Sequence, residues 1–267
     1  MQTLAEALSK IKGRRPTDNL VPNWRDYVPE GSRWVPGDIG DPACPSCRGV
    51  GYVRLDVPVG TEFFGKLLAC DCSAAKLAAV RMTALQKASA LLPDDLALGW
   101  GSIKRSAVIA EAVEAVRQAL ARGWGWVYLY GPPGPGKSLL LKAAVAERVR
   151  SGAEAVYANW SDMLQHMRAG YDSGTFDERV ANWRGVAVLA IDEYGRAKDS
   201  EWAREIRSRV MNDRYETAVN QRTVTLFASN FPPEDGEDWL ADRVRDGRFR
   251  VVNVAGPSMR PVMGEQP

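Results

Sequence analysis

Two groups of residues in this 267-residue chain have the types and spacing to do chemistry. The first is Gly131-Pro132-Pro133-Gly134-Pro135-Gly136-Lys137-Ser138, continued by Leu139. It fits G-x-x-x-x-G-K-[ST], the phosphate-binding loop. Glycines let such a loop close on phosphate with successive N–H groups pointing at it. Lys137 would reach the β- and γ-phosphates of a nucleotide, and the Ser138 hydroxyl would sit on Mg²⁺. The second group is the chain's four cysteines, Cys44, Cys47, Cys70 and Cys72. Two close pairs of thiolates are how a tetrahedral four-thiolate zinc site is built, and such a site leaves no open position for water. An iron–sulfur centre, a redox pair and free thiols are the alternatives. The second pair is C-x-C rather than the commoner C-x₂-C.

The elements around the loop suit it. Trp126 to Tyr130 reads as a buried strand, and Leu139 to Val149 consists mostly of good helix formers. Strand, glycine loop and helix place a helix N-terminus, with its partial positive charge, at the phosphates. Further on, the apolar run from Val186 to Ile191 ends in Asp192 and Glu193. A central parallel strand tipped by carboxylates is the Walker B arrangement. Asp192 would hold Mg²⁺ opposite Ser138, and Glu193 would orient and polarise the attacking water. A third β-rich run, 223–230, ends in Ser229 and Asn230.

The remaining elements are read in order. A short helical pattern with Thr3 and Glu6 as a capping box opens the chain. A proline-broken stretch bearing Trp24, Tyr27 and Trp34 follows. Residues 52–57 alternate like a hairpin strand, and 74–90 reads as a joining helix. Helices are expected at 106–122, from a cap at Ser161 to Arg168, at 175–183, at 201–217 and at 239–244. Strands are expected at 155–160 and 249–254. On helix 201–217, Trp202, Ile206, Val210 and Met211 share one face, while acids and arginines alternate on what reads as a solvated face. Composition is that of a globular protein, with 45% apolar and 25% charged residues. A net charge of +2 is too small to imply nucleic-acid binding by itself. No leader or membrane-spanning run is evident, so a cytoplasmic protein without membrane contact is expected.

The order of elements resembles the AAA+ ATPase core. That resemblance implies an α/β fold, a P-loop NTPase with a doubly wound parallel sheet, here preceded by a small zinc-binding module. Within AAA+, the chain is similar to helicase loaders of the DnaC/DnaI type and to the related IstB transposition ATPases. The motifs that carry this are Tyr130 to Gly134, Leu189 to Gly195, Asn212-Asp213-Arg214-Tyr215, Ala228-Ser229-Asn230, and Asp242-Arg243-Val244 leading to Gly247-Arg248. The resemblance implies that Asn230 is sensor 1, bonding the γ-phosphate or the water. It implies that Arg243 is an arginine finger completing a neighbouring subunit's site, although Arg245, Arg248 and Arg250 lie close by. Arg260 would match a late Ser-x-Arg. The chain departs from the family pattern in two places: Pro135 stands where Thr is usual, and Glu193 where many loaders carry Asp.

The organisation that follows is an irregular partner-binding segment (1–38), a four-cysteine module (39–75), a linker helix (76–90), the ATPase domain (91–260) and a tail (261–267). The expected function is ATP- and Mg²⁺-dependent loading of a replicative hexameric helicase, with single-stranded DNA and other copies of the chain as partners. By family analogy Arg168, Tyr171 and Arg184 would meet the DNA. An IstB-like ATPase that binds duplex DNA and a transposase is the alternative, as is an adaptor using ATP only as a switch.

Overall fold

A computed structural model describes residues 39–55, 57–103, 107–195, 200–220, 222–236 and 238–259. The expectations for Thr3, Glu6, Trp24, Tyr27, Trp34 and Arg260 lie outside these residues. The chain divides into two compact units between Thr83 and Ala84.

In the first unit, strands β1 (Tyr52–Arg54) and β2 (Leu67–Ala69) pair antiparallel, with Tyr52 opposite Ala69. The strand expected over 52–57 is shorter because the chain turns at Pro58, whose carbonyl accepts from Thr61 N–H. Val53, Leu55, Phe63 and Leu68 form a small core with Cys47 and Cys70. So few apolar side chains need a staple to hold a fold. Helix α1 (Ala74–Ala88) follows, and the division between the units falls within it.

The second unit begins with the short helix α2 (Pro93–Leu96), then α3 (Ala107–Arg122) and β3 (Gly125–Tyr130). Next come α4 (Lys137–Arg150), β4 (Ala155–Asn159), α5 (Trp160–Ser173), α6 (Phe176–Gly185) and β5 (Val188–Tyr194). It ends with α7 (Glu201–Val219), β6 (Val224–Ser229), α8 (Asp238–Val244) and β7 (Arg250–Asn253). The strands form one parallel sheet in the order β4-β5-β6-β3-β7. Successive strand residues face opposite sides. Trp126 and Val127 on β3 are both fully buried, so both faces of the sheet are covered. Because β3 leads to β4 across two intervening strands, the loop after β3 opens at the point where strand order reverses, the usual ligand crevice of such sheets.

Two local expectations are corrected. Helix α5 starts at Trp160 rather than at a Ser161 cap, with Asn159 in the N-cap position. Trp160 is buried edge-on against Tyr194, which fixes the chain in helical form one residue earlier. The arginine-bearing side of α7 is not simply solvated either: Arg207 and Arg214 are 7% and 0% exposed. Arg207 lies over the rings of Trp160 and Tyr194.

Arg214 crosses the sheet's lower edge. Its guanidinium donates to Thr225 Oγ1 (2.8 Å) and to the carbonyls of Trp183, Arg184, Val186 and Val224. Those carbonyls lie where α6 ends and where β5 and β6 begin, a region in which regular backbone bonding is incomplete. Burial pushes the guanidinium pKa down to about 9, so the group stays charged at pH 7. Arg214→Met should therefore destabilise the second unit by about 3–5 kcal/mol, because it strands buried acceptors. Arg214→Lys should lose nearly as much, since an ammonium lacks the planar fork. Urea midpoints of the variants beside the parent test this.

Candidate functional site

The phosphate-loop motif connects β3 to α4 as its pattern predicts. Gly131, Gly134 and Gly136 all have positive φ, between 106° and 136°. The reason for glycine extends beyond phosphate approach. A Cβ at Gly131 would lie 2.6 Å from Val254 O, and one at Gly134 would lie 2.4 Å from Ser258 Oγ. The segment leaving β7 thus lies directly on the loop, and Met259 N–H donates to Gly134 O (3.0 Å). Any side chain at those glycines would push this strap away.

Lys137 is buried and its Nζ donates to the carbonyls of Gly131 (2.8 Å) and Pro132 (2.7 Å). The same Nζ lies 3.4 Å from Asn230 Oδ1, which ties the loop to the end of β6. A cleft of about 540 Å³ opens here, within the usual size of small-molecule sites. Pro133, Gly134, Gly136, Lys137, Ser138 and Leu139 line one side. Asp192, Glu193 and Asn230 line the other, with Met259 at the margin. Gly131, Pro132 and Pro135 build the loop but do not line the cleft.

Consecutive strand residues should point to opposite faces, yet Asp192 and Glu193 both reach this cleft. The sheet register explains it. Ile191 pairs with Phe227 and Tyr194 with Ser229, so β5 carries one residue more than β6 at this point. The extra residue is a bulge, and Glu193 occupies it with φ of 51°. A left-handed glutamate costs roughly 1–2 kcal/mol, strain of the kind that gathers at functional sites. Here it turns a second carboxylate into the cleft.

Asp192 is buried. Its Oδ1 accepts from Glu193 N–H (2.8 Å) and its Oδ2 from the Tyr157 hydroxyl (2.6 Å). Burial, then the charge of Asp192, raises the pKa of the Tyr157 phenol, so Tyr157 remains the donor. Each Asp192 oxygen keeps a lone pair. Together with the Ser138 hydroxyl, this hard-oxygen set fits Mg²⁺, which takes one or two protein ligands beside phosphate and water. Bound there, Mg²⁺ would neutralise charge building on the phosphate oxygens. Lys137 and Glu193 line the same cleft as Asp192 and Ser138. Tyr157 and Met259 are members of this site that motif reading does not reach.

Arg243 lies apart from the cleft. Its guanidinium bonds Asn212 Oδ1 and sits 5.0 and 5.2 Å from the ring centroids of Tyr215 and Trp239. Arg245 pairs with Glu234, and Arg248 with Asp246.

In the first unit the four cysteine sulfurs lie within 4.8 Å of one another. Cys44 and Cys70 Sγ are 3.6 Å apart, and Cys47 and Cys72 Sγ are 3.4 Å apart. A tetrahedral site with Zn–S near 2.3 Å needs sulfurs about 3.8 Å apart, so the cluster fits zinc. Arg48, Gly49 and Gly51 take positive φ, which folds the first pair into a tight knuckle. Burial opposes the Cys44 thiolate, but N–H groups of Cys47 and Ser46 and neighbouring thiols outweigh it and bring its pKa to about 7. Burial raises Cys70 and Cys72.

This sheet order, loop, acid-tipped strand and polar β6 end make up an α/β P-loop fold of the AAA+ kind. The chain belongs to the family of IstB-like ATP-binding proteins, whose sequence model matches residues 104–260. It is 24% identical over 140 residues to an ATP-binding protein in an insertion sequence of Mycobacterium tuberculosis, covering 51% of this chain and 55% of that protein. It is 30% identical over 108 residues to the ATP-binding protein of insertion sequence IS1162 of Pseudomonas fluorescens, covering 40% and 45%. The chain therefore spans about half the length of the curated relatives it matches. The crystal structure of DnaI superposes with a TM-score of 0.51 at 17% identity, over 64% of this chain and 95% of that one, a likeness of fold. Among the described residues no helix is long and apolar enough to cross a membrane.

Proposed function

We propose that this ATPase loads a replicative hexameric helicase in the cytoplasm. The first unit would grip the helicase, and copies of the second would assemble around single-stranded DNA. Lys137, Ser138, Asp192, Glu193 and Asn230 would bind and hydrolyse Mg²⁺-ATP, with Arg243 serving a neighbouring copy. The observation that carries the helicase reading is the convergence of Cys44, Cys47, Cys70 and Cys72 ahead of the ATPase fold. The run Cys44-Pro45-Ser46-Cys47-Arg48-Gly49-Val50-Gly51-Tyr52 resembles the start of the N-terminal zinc module of several phage-type loaders, a module less expected in the transposition branch. Zinc binding would stabilise so small a unit by on the order of 10 kcal/mol.

A surface on α5 and α7 supports DNA contact. Tyr171 is 52% exposed, stacks on Phe176 at 4.2 Å and accepts a bond from Trp202 Nε1. The Arg168 guanidinium lies 4.8 Å over Trp202. Aromatic faces with adjacent arginine suit unpaired bases. Arg184 fits less well, being paired with Asp213.

A second reading, an insertion-sequence ATPase acting with a transposase on duplex DNA, is favoured by the curated relatives. One set of measurements separates the two. The parent should carry one zinc per chain, co-elute with the host replicative helicase and prefer single-stranded to duplex oligonucleotides in anisotropy titrations. Cys44→Ser should lose zinc and the helicase yet retain ATP binding. A metal-free folded protein, or duplex preference with no helicase complex, would sink the loader reading.

A further inference from the structure

Tyr157 stands outside every motif of the chain, yet three contacts hold it. Its N–H donates to Ser89 O (2.9 Å), which covers the free edge of β4. Lys142 Nζ sits 5.5 Å from its ring centroid, and that ammonium is itself held by Asp95 Oδ2 at 2.9 Å. Its hydroxyl donates to Asp192 Oδ2. Asp95 lies on α2, which packs against α4, and Lys142 is one turn beyond Ser138. The contacts therefore run unbroken from the segment entering the ATPase fold, across α4, to the carboxylate at the tip of β5.

The register makes this reach possible. Tyr157 pairs with Ala190 and Asn159 with Asp192, so Tyr157 lies two residues short of the acid and its long phenol spans the gap. A phenylalanine would fill the same space beside Lys142 without donating. With Glu193 N–H on the other oxygen, Asp192 is fixed at both ends. Such partners orient a ligating carboxylate, and their loss typically lowers metal affinity by about 10–100-fold.

We propose that Tyr157 is a positioning residue that fixes Asp192 to receive Mg²⁺, its own ring being set by Lys142 and Asp95. This rests on the reading of Asp192 as the Mg²⁺ carboxylate. The test uses Mn²⁺ as the probe, with paramagnetic resonance reporting its binding to the full chain loaded with a non-hydrolysable ATP analogue. Tyr157→Phe should weaken Mn²⁺ about tenfold. The half-saturating Mg²⁺ for ATP turnover should rise in step, while kcat at saturating Mg²⁺ and analogue affinity in EDTA stay within about twofold. Lys142→Met should shift Mn²⁺ affinity the same way by about threefold, and it decides the matter if Tyr157→Phe melts well below the parent. Asp192→Asn is measured beside them. If Asp192→Asn weakens Mn²⁺ while Tyr157→Phe does not, or Tyr157→Phe binds more tightly, the positioning role is overturned. If Asp192→Asn leaves Mn²⁺ unchanged, the metal reading of Asp192 falls and takes this inference with it.

Discussion

Glu193→Gln should reduce ATP turnover by about 10²–10⁴-fold, the usual worth of a positioned general base. ATP affinity should stay within a few-fold of the parent. The substitution keeps the side chain's length and the bulge that aims it, so only the capacity to accept a proton is lost. Asp192, Lys137 and Asn230 line the same cleft and are untouched. Lys137→Ala should differ in kind. Lys137 Nζ joins two loop carbonyls to Asn230, so its removal should weaken nucleotide binding as well as turnover. Rapid-quench turnover and equilibrium binding of a fluorescent ATP analogue separate the two effects. Equal background rates for the parent, Glu193→Gln and Lys137→Ala, with helicase and single-stranded DNA present, would mean that the chain uses ATP only as a switch.

The bulge under Glu193 shows where sequence reading stops. The acid-tipped apolar run is visible because a buried parallel strand needs an unbroken apolar stretch. That both acids enter one cleft is not visible, because it depends on β5 having one residue more than β6 between two paired positions. Glutamate at positive φ leaves no compositional trace. A glycine there would have signalled a turn, and Gly195 follows closely enough to blur that signal.

Other parts divide the same way. The phosphate loop and the cysteine pairs are local, so spacing alone is enough to locate them. Arg214 looks like one more charge on a solvated helix face until the ends of α6, β5 and β6 surround it with acceptors. The loop glycines suggest phosphate on their own. Their second role, making room for Val254 and Ser258, requires the far end of the chain. Tyr157 is read as an ordinary strand aromatic because its partner lies on another strand.

Arg243→Ala should lower turnover of the assembled protein by about 10³–10⁵-fold, as loss of an arginine finger does. Two observations set this arginine apart from Arg245 and Arg248. Arg245 and Arg248 already face carboxylates, Glu234 and Asp246. Among the described residues Arg243 forms no ion pair; its partners are a neutral amide and two aromatic rings. Such a seat holds the guanidinium in a set direction without neutralising it. Arg243 is also absent from the lining of the chain's own cleft, which suits action on the ATP of another copy. Head-to-tail assembly gives every cleft one such neighbour. Arg243→Ala and Lys137→Ala proteins, each inactive alone, should then regain turnover when mixed. One interface in four joins an intact cleft to an intact arginine, so an equal mixture should reach about a quarter of the parent rate if interfaces act independently. Arg245→Ala and Arg248→Ala should stay within a few-fold of the parent. A mixture no more active than its components would place the decisive residue elsewhere, and full activity of Arg243→Ala alone would remove the finger from this helix.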